Sequence, residues 1–386
     1  MTRLGLYVQV PFCQTKCTYC NFHTGVFSKD LYAPYVSAVC REIAEFPRLL
    51  AENRIAAVPE CVVDTVYFGG GTPSLLDPAG LAQIIEAARV SFPSRFEEVT
   101  LEADPETVSS EKAVAWRAAG FNRISMGVQS FNDEELRTAG RMHRRTDVFR
   151  ANEVLRAAGF ANLSFDLIAG LPHQIHGSWE ESVEQLLRLR PEHVSVYMME
   201  IDEGSRLGLE VLQGGQRYSA KALPSDDAMA EFYEHACRKL SDAGYLHYEI
   251  SNWALAGFES RHNLKYWRRE PYFGFGAGAH SFNGSQRWAN AHDPAAYTAA
   301  VQQGRFPVEQ LESVTPSQAL EEELFLGLRQ LGGIDLAAIE SKYEARLRPR
   351  VQELLAQGLV EWDGPRLRLS PNRLTVSNEV FVHLLE

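Results

Sequence analysis

Three of the chain's six cysteines fall within eight residues, at Cys13, Cys17 and Cys20. Their spacing is C-x3-C-x2-C, in PFCQTKCTYCNF, directly after a short β-prone run at Gly5–Val10. Three thiolates on one short loop can wrap one soft metal centre. A structural zinc ion usually takes four protein ligands, and no fourth cysteine is near. Cys40, Cys61 and Cys237 are isolated in apolar or helical contexts and read as buried small hydrophobes. A disulfide inside the loop would leave one cysteine over. A cubane 4Fe–4S cluster fits the count better, with one iron left open to a non-protein ligand. A non-redox zinc protein using the same cysteines stays as an alternative.

Other chemistry-bearing residues recur at strand ends. FGGGTPS at Phe68–Ser74 contains three glycines, which let backbone N–H and C=O groups approach a ligand closely. Glu102 ends a strand-like run in LEADPETV, and Asp104, two residues on, points to the same face. Gln129 ends RISMGVQ, and Arg141 follows 12 residues later in the basic run RMHRR. Asp166 sits in the apolar run SFDLIAGLP, where a buried carboxylate is costly without a partner. It reads as a ligand contact rather than a loop cap. Further on, RHNLKYW places His262 beside Tyr266 and Trp267. An imidazole is a common axial ligand to haem iron. Tyr266 and Trp267 offer flat apolar faces, and Arg261, Lys265, Arg268 and Arg269 could pair with propionates. The other reading is an amphipathic surface patch with one hydrogen-bonded histidine. His23, His143 and His280 are rival ligands.

These residues need elements to hold them. The spacing predicts helices over Lys29–Leu50, Pro78–Val90, Ser109–Ala119, Asp147–Ala158, Trp179–Leu189 and Asp226–Ala243. Between them lie strand patterns at Val62–Phe68, Glu98–Ala103, Asn122–Gln129, Asn162–Ile168 and His193–Met199. Six or more βα units imply parallel strands with crossover helices, in an open doubly wound sheet or a barrel. Both collect functional groups at the carboxyl ends of the strands. A composition shift near Gln303–Pro316 starts a smaller unit, with helices at Glu321–Gln330, Leu336–Tyr343 and Leu347–Ala356. A hairpin turning at Asp363–Gly364 completes a winged-helix-like pattern. Domains are therefore expected at 1–304 and 305–386.

The 386 residues are 45% hydrophobic and 23% charged, which excludes disordered and low-complexity classes. A net charge of −12 opposes nucleic-acid binding. The C-terminal 82 residues carry 9 basic and 13 acidic groups, so the winged-helix pattern does not point to DNA. No apolar run spans a membrane, the N-terminus lacks a signal-peptide pattern, and a cytoplasmic location is expected.

The cysteine spacing after an N-terminal strand resembles the radical SAM superfamily. With FGGGTPS, RISMGVQSF, DLIAGLP and GAGAHSF, nearly the whole chain resembles the HemN/HemW group within it. The resemblance implies a partial (β/α)6 TIM-like barrel with a small C-terminal helical domain. It implies that Cys13, Cys17 and Cys20 hold a 4Fe–4S cluster whose open iron chelates S-adenosylmethionine. One electron then cleaves the sulfonium and yields a 5′-deoxyadenosyl radical. It aligns Tyr7, Tyr19, Gly70, Gly71, Thr72, Glu102, Gln129, Arg141 and Asp166 with contacts to S-adenosylmethionine.

Two activities occur in the group. One branch is the oxygen-independent coproporphyrinogen III dehydrogenase, which turns propionates into vinyls. The HemW branch is regarded as a haem chaperone that delivers haem to respiratory proteins. Three features resemble the second branch. Phe22 stands where dehydrogenases carry a further cysteine, no long arm precedes the first strand, and H-N-x-x-Y-W at His262–Trp267 is associated with haem binding. Gln9 stands where the group often has histidine, which also departs from the dehydrogenase pattern. The expected partners are haem, haem-accepting respiratory proteins and an electron donor, with the chain a monomer or homodimer and no nucleic acid bound.

Overall fold

A computed structural model describes residues 1–385. Six strands, β1 (Thr2–Val10), β2 (Cys61–Gly70), β3 (Ser94–Ala103), β4 (Arg123–Gln129), β5 (Leu163–Ala169) and β6 (His193–Met198), pair side by side in sequence order. Every pairing is parallel. The crossovers run through α1 (Tyr32–Glu52), α2 (Pro78–Ser91), α3 (Ser110–Ala119), α4 (Asp133–Thr138), α5 (Arg145–Ala157) and α6 (His176–Leu189). A doubly wound sheet reverses its strand order at a switch point. This one does not, so it is an open arc of a β/α barrel, which decides between the two sequence alternatives.

Helix starts and stops follow local chemistry. The Asp77 carboxylate accepts from Ala79 N–H at 2.8 Å, Ser109 caps α3, and Gly120 ends α3 at φ 107°, a left-handed value that glycine adopts without strain. Asn132 accepts from Glu134 N–H and Glu135 N–H to start α4.

The strands alternate sharply. Leu4, Leu6, Val8 and Val10, then Val66 and Phe68, Val99 and Leu101, Ile124 and Met126, Phe165 and Leu167, are all buried in the core that the helices cover. Intervening positions are Tyr7, Gln9, Thr65, Tyr67, Thr100, Glu102, Ser125, Asp166, His193 and Ser195. Parallel strands covered on both faces normally read as continuous apolar runs. Here the inner face is polar.

After β6 come α7 (Arg206–Leu212), α8 (Asp226–Asp242), the antiparallel pair β7 (Leu246–Glu249) and β8 (Asn252–Ala254), and α9 (Arg261–Trp267). β9 (Tyr272–Phe275) returns to pair in parallel with β1, and β10 (His280–Phe282) and β11 (Gln286–Asn290) extend the sheet from it. α10 (Pro294–Gln302) precedes β12 (Val308–Ser313), which pairs with β11. The sheet therefore has 12 strands. β12 lies past the expected boundary at 304/305 yet pairs into the barrel sheet, and a smaller group of elements follows Ser313. It contains α11 (Pro316–Arg329), α12 (Leu336–Tyr343), α13 (Arg348–Ala356), the hairpin β13 (Val360–Asp363) with β14 (Arg366–Leu369), and α14 (Ser377–Leu385). Cys40, Cys61 and Cys237 are half-buried against the core rather than fully buried, and burial raises each thiol pKa. No helix among the described residues is long and apolar enough to cross a membrane.

Candidate cluster and cofactor site

The cysteine loop leaves β1 and is pinned at several points. Cys13 N–H donates to Gly25 O and Gly25 N–H to Pro11 O, both at 2.9 Å, closing the loop on itself. The Thr18 N–H donates to Ala139 O at 3.0 Å, and the Thr15 hydroxyl to Gly140 O at 3.1 Å, tying the loop to the segment after α4. Leu207 N–H donates to Thr18 O at 2.8 Å from the start of α7. All three loop cysteines are free and half-buried. Burial raises the Cys13 thiol pKa, and the Thr24 and Thr72 hydroxyls partly offset it.

The glycine turn after β2 lies against this loop. Gly71 N–H donates to Val10 O and Thr72 N–H to Phe12 O, both at 2.8 Å. A Cβ on Gly71 would lie 2.6 Å from Phe12 O and 3.1 Å from the Cys13 sulfur, so only glycine fits there. Gly70 has φ 106°, and its N–H donates to the Glu102 carboxylate at 3.0 Å. Tyr67 OH donates to the other Glu102 oxygen at 2.7 Å. Burial pushes the Glu102 carboxyl up to about 7, with the Tyr67 hydrogen bond opposing.

Asp104 joins the two halves. It accepts the Thr72 hydroxyl at 3.0 Å and ion-pairs with Arg141. Arg141 also donates to Gly127 O at 2.9 Å and to the Cys17 sulfur at 3.5 Å. Burial alone would weaken its charge, but Asp104, Tyr19 and Cys17 hold it well above the ordinary range. Gln129 ends β4 at φ 64°, an unusual conformation for a residue with a Cβ. Asp166 sits lower in the arc; burial pushes it up to about 6, with the Ser195 and Ser125 hydroxyls opposing. Tyr7 OH donates to the Gln9 side chain at 2.7 Å.

The structure thus gathers Cys13, Cys17, Cys20, Tyr19, Gly70, Gly71, Thr72, Glu102, Gln129 and Arg141 at the carboxyl ends of the strands, with Tyr7 and Asp166 just inside. It adds Asp104, whose geometry was visible in the sequence as a same-face neighbour of Glu102, and Gly127, which carried no signal. A loop of three free thiols, a backbone cradle that a Cβ would fill and a cation beside one sulfur fit a 4Fe–4S cluster. Among the described residues no three His, Cys, Asp or Glu side chains converge to hold a single metal ion.

His262, Tyr266 and Trp267, expected as a haem site, lie away from the cysteine loop. α9 packs under the other end of the barrel, its first N–H groups received by the buried Glu98 carboxylate at 3.1 and 2.9 Å. His262 is buried, and both ring nitrogens are occupied: Nδ1 by Thr65 Oγ1 and Nε2 by Tyr266 OH, each at 2.9 Å. Its ring stacks on Tyr67 at 5.2 Å. Trp267 packs under Arg329 of α11, 4.7 Å from the guanidinium carbon to the ring centre. Three of the four cations meant for propionates are engaged too, Lys265 with Asp64 at 2.7 Å, Arg261 with Glu97 and Arg269 with Glu322 at 2.6 Å, while Arg268 is exposed. As placed, the motif is a plug for the barrel base. His143 is likewise buried, its Nε2 3.0 Å from Val128 O.

The Radical SAM superfamily model matches residues 7–186, and the HemN C-terminal domain model matches residues 314–372. Over 381 residues the chain is 36% identical to the heme chaperone HemW of Bacillus subtilis (strain 168), covering 97% of each. The chain belongs to the HemW family of radical SAM proteins. Another relative of the family is the Escherichia coli (strain K12) heme chaperone HemW, 32% identical over 92% of this chain and 91% of that one. The mitochondrial radical S-adenosyl methionine domain-containing protein 1 of Bos taurus is 34% identical, over 99% of this chain and 87% of that protein. In fold, the chain resembles the coproporphyrinogen III oxidase (HemN) of Escherichia coli, with a TM-score of 0.83 at 22% identity, over 99% of this chain and 90% of that one. Membership of the radical SAM superfamily implies a 4Fe–4S cluster and S-adenosylmethionine.

Proposed function

We propose that this chain is a cytoplasmic haem chaperone. It would hold a 4Fe–4S cluster on Cys13, Cys17 and Cys20, bind S-adenosylmethionine, take up haem and deliver it to respiratory proteins, with an electron donor serving the cluster. The observation that carries this reading is the assembly of the cysteine loop, glycine turn, Glu102 and Arg141 at one barrel mouth, on a chain similar over its length to proteins named heme chaperone HemW.

A cluster with S-adenosylmethionine supplies one-electron cleavage of a sulfonium bond. The protein's own residues prepare the place. Gly71 lets backbone groups reach the ligand where a side chain would collide. Glu102 presents a carboxylate whose two oxygens already orient on Tyr67 and Gly70, and it suits hydroxyl donors of the cofactor. Arg141 offsets the negative charge of thiolates and keeps Asp104 neutralised. Tyr19 is half-buried near Cys17 and Arg141 and gives an aromatic wall.

The other reading is the porphyrinogen dehydrogenase. Two positions oppose it. Phe22 is 64% exposed where that branch has a further cysteine, and Gln9 faces Tyr7 where the group often has histidine. Anaerobic reconstitution with iron and sulfide, followed by parallel titration with haem and coproporphyrinogen III, tests the proposal. Stoichiometric haem binding without porphyrinogen turnover is expected. Decarboxylation dependent on S-adenosylmethionine would overturn it.

A further inference from the structure

Beside the cysteine loop lies a second group of metal-ligating side chains. His23 is three residues past Cys20; His280 opens β10; His292 follows β11. The strand ladder brings these distant segments together: Gly278 N–H donates to Ala291 O at 2.9 Å and Asn290 N–H to Ala279 O at 2.9 Å. Gly278, at φ 71°, forms the floor; a Cβ there would lie 3.1 Å from His292 Nδ1 and 3.9 Å from His23 Cβ. The His23 and His292 ring centres are 4.1 Å apart.

These imidazoles differ from His262 in two respects. His23 and His280 are exposed, and His292 is half-buried. His292 Nδ1 is buried without a hydrogen-bond partner, which is costly for a ring nitrogen unless something else meets it. Partial burial lowers the basicity of His23 and His280. His292 and Lys16 add to this at His23, and His292, Arg287 and His23 at His280, so both favour the neutral form that ligates metals.

The surroundings suit a flat, apolar, dianionic ligand. Phe22 and Val26 flank His23 in the loop, and each is 64% exposed. Lys16, bonded to Phe22 O at 3.3 Å, supplies a cation near His23, while Arg287 near His280 is ion-paired with Glu322 at 2.7 Å. No three of these side chains converge on a point where a bare ion would sit. An iron that brings four porphyrin nitrogens of its own needs only one or two imidazoles.

We infer that haem docks on the His23–His280–His292 face beside the cysteine loop, with one of these imidazoles as axial ligand and Lys16 facing a propionate. The inference rests on the chaperone reading and places its cargo site.

The test uses the full chain, reconstituted with its cluster, and ferric haem as probe. Wild type is compared with the triple variant His23→Ala/His280→Ala/His292→Ala and with His262→Ala. The triple variant is expected to lose the histidine-ligated Soret and electron-paramagnetic-resonance signature and to bind haem at least about tenfold more weakly. Added free imidazole should restore the signature. His262→Ala should keep both. Unchanged iron and sulfide content in the triple variant would show that its fold survives. If the triple variant keeps the signature while His262→Ala loses it, the site is wrong and the chaperone reading stands. If wild type binds no haem, both fall.

Discussion

Arg141 places Nη1 3.5 Å from the sulfur of Cys17, while its other nitrogen ion-pairs with Asp104. One side chain thus links the cysteine loop to the end of β3, and truncating it strands Asp104. Arg141→Ala should cost about 3 kcal/mol, toward the low end for breaking a buried pair, because Asp104 keeps the Thr72 hydroxyl. Arg141→Lys should keep the charge and lose the branched reach from Gly127 O to Cys17. Denaturation midpoints and iron content together check this: intact stability and full iron in Arg141→Ala would refute the link.

Cys17→Ala should abolish cluster assembly, since three thiolates are the smallest set that leaves one iron open. Iron and sulfide analysis after anaerobic reconstitution is the check. A Cys17→Ala protein with full iron and the brown chromophore would sink the assignment.

Gly71→Ala should be nearly as damaging without touching a ligand. The added methyl meets Phe12 O at 2.6 Å, Val10 O at 2.8 Å and the Cys13 sulfur at 3.1 Å. The loop must shift to admit it. Loss of S-adenosylmethionine binding with part of the iron retained is the expected pattern, read by equilibrium dialysis.

Glu102 carries a carboxyl pushed up to about 7 by burial. As the pH falls through 7 it gains a proton and loses acceptor capacity, so S-adenosylmethionine should bind more weakly at pH 6 than at pH 8. Glu102→Gln should bind about tenfold more weakly at pH 8 and show a flat profile. An unchanged profile in the variant would assign the dependence to another group.

The buried histidines set the acid side of stability. Burial pushes His262 down to about 3, with Lys265 and Arg123 adding to it. His143 and His247 fall to about 4, again chiefly through burial. A group depressed below its unfolded value favours the fold above that value. The contribution is full above about 6.5 and shrinks as the pH falls toward the folded value. His262 alone should remove about 2 kcal/mol between pH 7 and pH 5. Melting temperatures across that window check it, with His262→Asn expected to show a shallower decline.

Much of this was legible in the chain. α12 was placed residue for residue, and the start of α2 at Pro78 and the end of α3 at Ala119 were read correctly, because helix spacing and end signals act within a few residues. The cysteine loop was legible for the same reason: its ligands are local. What was not legible depends on contacts between distant segments. Nothing near Tyr272 says that β9 will pair with β1, and nothing near Val308 says that β12 will join β11. His262 misled most. Its aromatic and basic neighbours suggest a ligand face, but Glu98, Asp64 and Thr65, far off in sequence, take up its helix N–H groups, its neighbouring lysine and its ring nitrogen.

The alternation along β1–β6 places cohesion and chemistry on opposite sides of the same strands. The arc is built like a cask, with the staves gripped from outside by the helices and the hollow lined by polar contacts. Damage to Leu6, Phe68 or Phe165 loosens the grip and spills the whole vessel. Damage to Tyr67, Ser125 or Asp166 spoils only the contents. Such a wall lets the lining drift through evolution toward new cargo while the outer surface stays fixed, so a binder and a catalyst can share one cooperage.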